Sequence, residues 1–68
     1  MALFNTQAEA EVIGGLLVNN QCIEDVADIL TPEDFGNRLH ARMYHVILTE
    51  HAKGRAITPT GLRPHLED

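Results

Sequence analysis

The chain has 68 residues, a mass of 7.5 kDa, ten acids against five bases, and a formal charge of −5. That length holds one domain with a marginal core, because a domain this small buries only about 60% of the surface its unfolded chain exposes. Cys22 is the only cysteine, which rules out an internal disulfide, and neither a motor nor a two-domain enzyme fits.

Apolar residues at 44% and charged residues at 22% match ordinary globular usage and speak against disorder. No Lys or Arg precedes the first apolar stretch, so the N-terminus does not read as a secretory signal. The longest apolar run, Val12 to Val18, is about a third of a membrane span, so no membrane partner is expected. One free thiol fits a reducing, cytoplasmic compartment. The charge is unevenly placed. Residues 1–34 carry seven acids and no base, whereas residues 35–68 carry five bases and three acids, so the halves are −7 and +2. Such a split can mark an interaction surface, or each half can simply solvate its own helices.

Thr6 and Glu9 stand at capping-box spacing, with the Thr hydroxyl and the Glu carboxylate exchanging bonds with each other's amides. A first helix runs from there to about Val18, with Val12, Ile13, Leu16 and Leu17 as its apolar stripe. Glu9 falls on the same stripe, and the cap accounts for it by turning the side chain towards the helix end. Gly14 and Gly15 in mid-helix each cost up to about 1 kcal/mol against Ala. A close approach by another helix, or a local break, would explain them. They are no phosphate loop, since G-x-x-x-x-G-K-[ST] is absent.

Asn19 and Asn20 end this helix, since Asn tolerates a left-handed C′ conformation, and one of them can cap the next. The second helix places Cys22, Ile23, Val26, Ala27, Ile29 and Leu30 on one face and Glu24, Asp25 and Asp28 on the other, with Cys22 as a small core residue. Thr31 then caps a short helix with Pro32 at N1, acids in its first turn, and Leu30 stapled to Phe35. Gly36-Asn37 stops it. A long helix from about Arg38 to Ala52 carries Leu39, Met43, Val46 and Ile47 as its core stripe, with Tyr44 on the flank and Gly54 as its C′ residue. Thr58 and Pro59 repeat the Thr-Pro start, with Ile57 and Leu62 as the apolar pair. Pro64 would break or kink this last helix after its first turn or two. No period-2 strand pattern occurs. The fold class is all-α, a small orthogonal bundle of four to five short helices in one domain.

Chemistry is sparse. His40, His45 and His51 are spaced five and six apart, not at the i, i+3 or i, i+4 of a helical metal pair. His40 and His51 share a face but stand about 16 Å apart. The expectation is packed rings, no metal site and no catalytic group: serine is absent and Cys22 has no activating His nearby. Arg38, Arg42, Lys53 and Arg55 could make a modest basic face, but net −5 argues against binding DNA alone.

Read in order, Glu9, Val12-Ile13-Gly14-Gly15-Leu16-Leu17, Asn20, Asp25-Val26-Ala27, Pro32-Glu33-Asp34-Phe35, His40, Met43-Tyr44, and Gly54, Ile57 and Thr58 resemble the N-terminal domain of DnaB-type replicative helicases. Gln7, Thr58-Pro59, Gly61 and Pro64 depart from that pattern. The resemblance implies a non-catalytic collar that packs into a hexameric ring with copies of itself and docks the primase, with a helicase loader as a further candidate partner. Helix packing would fall to Gly14, Gly15, Leu16, Leu17, Phe35, Met43, Tyr44 and Ile47, and capping to Thr6, Glu9, Thr31, Pro32, Thr58 and Pro59. It further implies that the 68 residues are the first part of a longer chain. That chain's motor would bind ATP and magnesium and move 5′ to 3′ on single-stranded DNA, while this part holds no cofactor. The other reading is a stand-alone helical adaptor or regulator of replication, for instance phage-encoded, that shares the collar fold.

Overall fold

A computed structural model describes residues 5–66. Among them are four α-helices, two 3-10 turns and no strand. The helices are α1 (Thr6–Val18), α2 (Ile23–Ala27), α3 (Arg38–Ala52) and α4 (Pro59–Leu66), and the turns are Asn20–Cys22 and Pro32–Asp34. α3 is the axis: α1, α2, the second 3-10 turn and α4 all pack against it. The core is Ile13 and Leu16 from α1, Ile23 from α2, Leu30 and Phe35 from either side of the second 3-10 turn, Tyr44 and Ile47 from α3, then Ile57 and Leu62.

The buried stripe of α3 is rotated from the expected one. Tyr44 is not on the flank but wholly buried at the centre, beside Ile47 and next to the largely buried His40. Leu39, expected in the core, is 51% exposed, and Met43 and Val46 are only partly buried. Hydrophobicity alone aligns the stripe with Leu39. The actual axis is set by a polar demand: the Tyr44 hydroxyl donates to the Leu30 carbonyl at 2.8 Å, and a buried carbonyl without a donor is costly. Phe35 then stacks on the Tyr44 ring, with centroids 4.9 Å apart.

The helix ends show further differences. Asn5, not Thr6, caps α1, its side chain accepting from the Ala8 N–H at 2.6 Å, so Thr6 is the first helical residue. The Asx oxygen one residue earlier reaches the orphan amide, and Glu9 is left free for other work. Asn19 does not turn left-handed; it is extended and caps the first 3-10 turn through the Gln21 N–H. Cys22 is exposed rather than in the core, because the 3-10 turn rotates it outward before α2 begins. At the second turn the Asp34 carboxylate accepts from the Thr31 N–H at 2.8 Å, with Pro32 at N1. The Thr58 hydroxyl accepts from the Gly61 N–H at 3.1 Å. α4 continues through Pro64 to Leu66, with Leu62 in the core and Leu66 packed against it; this docking offsets the hydrogen bond that the proline lacks.

α3 ends as expected in a Schellman arrangement. Gly54, at φ +78°, takes the left-handed position, the Arg55 N–H reaches the Glu50 carbonyl and the Gly54 N–H reaches the His51 carbonyl, both at 3.0 Å.

Gly14 and Gly15 do not pack closely against anything. Both are exposed on the outer side of α1, and a Cβ at either would meet nothing within 4 Å among the described residues. Their helix-propensity cost is therefore not recovered by packing among the described residues. Replacing either by Ala should stabilise the fold by up to about 1 kcal/mol, read as a higher urea midpoint at unchanged slope. Tyr44→Phe should cost about 1–3 kcal/mol by stranding the Leu30 carbonyl, and an unchanged midpoint would refute the role assigned to that hydroxyl.

Candidate functional site

The chemistry-bearing side chains cluster into supports of the fold and outward faces. Glu9 is the principal support. It lies on the inward stripe of α1 and is only 2% exposed. Its carboxylate accepts from the Gly36 N–H at 2.7 Å, the Asn37 N–H at 3.2 Å and His40 Nδ1 at 3.0 Å. It does not fold back to the helix end, which corrects its assignment as a cap. An acid on an apolar stripe must find donors, and the nearest are the free amides ahead of α3 together with a ring on its first turn. Burial on its own pushes the Glu9 carboxyl up. The bonds from Gly36, His40 and Asn37 outweigh it and hold the group below its ordinary 4.5. Asn37 also caps α3 by accepting from the His40 N–H at 3.1 Å.

Asn20 is the second support, a role that its position in the sequence did not suggest. Its Nδ2 donates to the Leu16 carbonyl at 2.8 Å and the Ile57 carbonyl at 3.1 Å, and its Oδ1 accepts from the Ile57 N–H at 2.8 Å. One amide thus ties the end of α1 to the strap before α4. Glu50, also buried, takes Lys53 at 3.4 Å and Arg55 at 3.6 Å. Burial pushes its carboxyl up, but Lys53, Arg55 and then His65 draw it below the ordinary value.

His51 meets Glu24 at 3.4 Å, whereas His40 meets Glu9, so these two rings serve different carboxylates. His45 and His65 line a cleft of about 220 Å³ between α3 and α4, with Glu50 and Lys53. A second cleft of about 260 Å³ is lined by Asn20, Gln21, His51 and the Gly54–Ala56 strap. Among the described residues no three metal-ligating side chains converge, and no helix is long and apolar enough to cross a membrane.

The expected packing residues divide accordingly. Leu16, Phe35, Tyr44 and Ile47 are buried and Leu17 and Met43 partly so, while Gly14 and Gly15 face outward. What the fold presents to solvent is the glycine face of α1, the acids of α2 and the bases of α3, with Val18, Ile29 and Leu39 as the exposed large apolar side chains.

The family described as the DnaB-like helicase N-terminal domain matches residues 1–68. Similar proteins include the replicative DNA helicases DnaB of Rickettsia felis and Rickettsia conorii, each 36% identical over 62 residues, which is 91% of this chain and 13% of the relative. The replicative DNA helicase DnaB of Rickettsia typhi is 34% identical over the same length, 12% of that protein. The chain therefore spans about an eighth of the length of these relatives. No solved structure matches it.

The lowered Glu9 carboxyl sets the sign of an acid response. Its folded value lies below 4.5, so its contribution is complete above that pH and is lost as the pH falls through the folded value. Glu9→Gln should lower stability at neutral pH, because an amide N–H₂ would face N–H donors. It should also flatten the fall of stability with acid relative to the parent chain. Equal slopes in urea titrations across that range would refute the role assigned to this carboxylate.

Proposed function

The chain belongs to the DnaB-like helicase N-terminal domain family, and from that premise we propose that it is a non-catalytic scaffold of a replicative helicase. It mediates assembly of the ring from copies of itself and offers a docking surface to the primase. ATP, magnesium and single-stranded DNA are handled by a motor elsewhere in the longer protein, and a helicase loader is a further partner of the assembled ring.

The observation that carries this reading is how the polar side chains are used. Glu9, Asn20, Tyr44 and Glu50 are each spent on holding one element of this chain to another, or on closing the end of α3. None is left pointing unpartnered into either cleft, and no buried side-chain polar atom among the described residues lacks a partner. A catalytic centre keeps groups poised for a substrate; a scaffold spends them on rigidity and acts through its outer faces. Those faces carry the exposed Val18, Ile29 and Leu39 and the uncompensated Gly14-Gly15 pair, a combination that suits contact with other protein surfaces.

Sedimentation of the chain over a range of concentrations should show reversible self-association, and purified primase should co-migrate with the associated species. Nucleotide turnover should be absent. A strict monomer at high concentration would overturn the assembly reading, and ATP hydrolysis by the chain would overturn the scaffold reading.

A further inference from the structure

The exposed residues of α3 include Arg38, Leu39, Arg42, His45 and Thr49, and none of its exposed side chains is acidic. The helix's one acid, Glu50, is turned inward to Lys53 and Arg55. Arg38 is the first residue of α3, at the end where the helix dipole disfavours a cation; α3 has no acid of its own in that turn, and the Glu9 carboxylate at this end is bonded to Gly36, Asn37 and His40 rather than to Arg38. Arg42, on the same side, already has a partner of its own. Beside Arg38, Leu39 is 51% exposed.

The far end of α2 is the mirror of this in charge. Asp25 and Asp28 are exposed, and Asp28 caps the C-terminus, the end that disfavours an anion, with no base in the last turn. Ile29 comes directly after it and is 59% exposed. Arg38, Asp25 and Asp28 make no ion pair among the described residues. Each patch is thus an exposed aliphatic side chain beside a charge of the sign its helix end disfavours, and the two patches have opposite signs.

We propose that these patches are the two sides of one contact: the start of α3 docks on the end of α2 in a second copy of the chain. Arg38 faces Asp25 and Asp28, and Leu39 packs against Ile29. The contact rests on the self-assembly reading above and assigns it to particular faces. A second copy fits better than a polyanion, because a net charge of −5 repels nucleic acid whereas the acidic half of another copy attracts the basic half of this one. The contact removes two exposed aliphatic groups from water and places a cation at one helix terminus against anions at another.

A charge swap tests it. Arg38→Glu and Asp28→Lys should each raise the dissociation constant for self-association about tenfold, and raised salt should weaken the parent chain in the same direction. The double variant, carrying both changes, should regain parental association, because the swapped charges again attract. Far-UV circular dichroism checks that the variants fold. Should Arg38→Glu be unfolded, Leu39→Gln serves in its place and should weaken association to a similar degree. Association unchanged by the single variants, or a double variant as weak as the singles, overturns this inference and leaves the assembly reading standing. A parent chain that never associates overturns both. A monomeric parent that is retained on single-stranded DNA through Arg38 assigns the face to a polyanion instead, and also overturns it.

Discussion

One buried carboxylate organises this small fold. Glu9 brings a charge into the interior from the first helix, and a charge there must be met by donors. The donors come from the Gly36 and Asn37 amides and from His40, all at the entry to α3. Their bonds to Glu9 fix where α3 starts and, together with the Tyr44 hydroxyl on the Leu30 carbonyl, how it is rotated about its axis. That rotation gives Tyr44 its central place, stacks Phe35 on its ring, and leaves Leu39 exposed. Amides at the start of a helix lack intrahelical partners, so the same bonds also relieve a deficit of the backbone. An apolar side chain at position 9 would bury area but leave those amides unanswered.

The remaining polar side chains obey the same rule of bridging elements distant in sequence. Asn20 holds the strap at Ile57 to the end of α1, and Tyr44 holds the loop at Leu30 to α3. A domain of this length has little apolar area to bury. Directional bonds between elements supply the specificity that a larger core would obtain from shape alone. Each such bond is worth only about 1 kcal/mol net, but losing one leaves a buried group unsatisfied, so the set acts together in keeping the elements in register.

Charge is distributed by a different logic. The interior takes Glu9 and Glu50 with their own partners, and what remains on the outside is segregated, acids on α1 and α2 and bases on α3 and α4. One contact between those outer sets is long, Glu24 with the His51 ring at 3.4 Å, and exposed on the Glu24 side. An exposed pair of that kind contributes little to stability. That contact therefore does little to hold the two halves together.

By itself the sequence determined the class of fold, the number and order of helices, the Thr-Pro helix starts and the glycine at the end of α3. These follow from local physics: periodicity, capping chemistry and the need for a positive φ act within a few residues. The ordered motifs also identified the family. Only the tertiary structure decided what Glu9 does, which face of α3 is buried, and that Asn20 is a bridge rather than a cap. An acid on an apolar stripe is a visible signal that donors must exist. Which groups supply them depends on how α1 crosses α3, about thirty residues away in the chain. The glycine pair shows the reverse case. Its cost is legible in the sequence, but the absence of any neighbour within 4 Å is a fact of three dimensions, because close approach requires a second surface that no local pattern can specify.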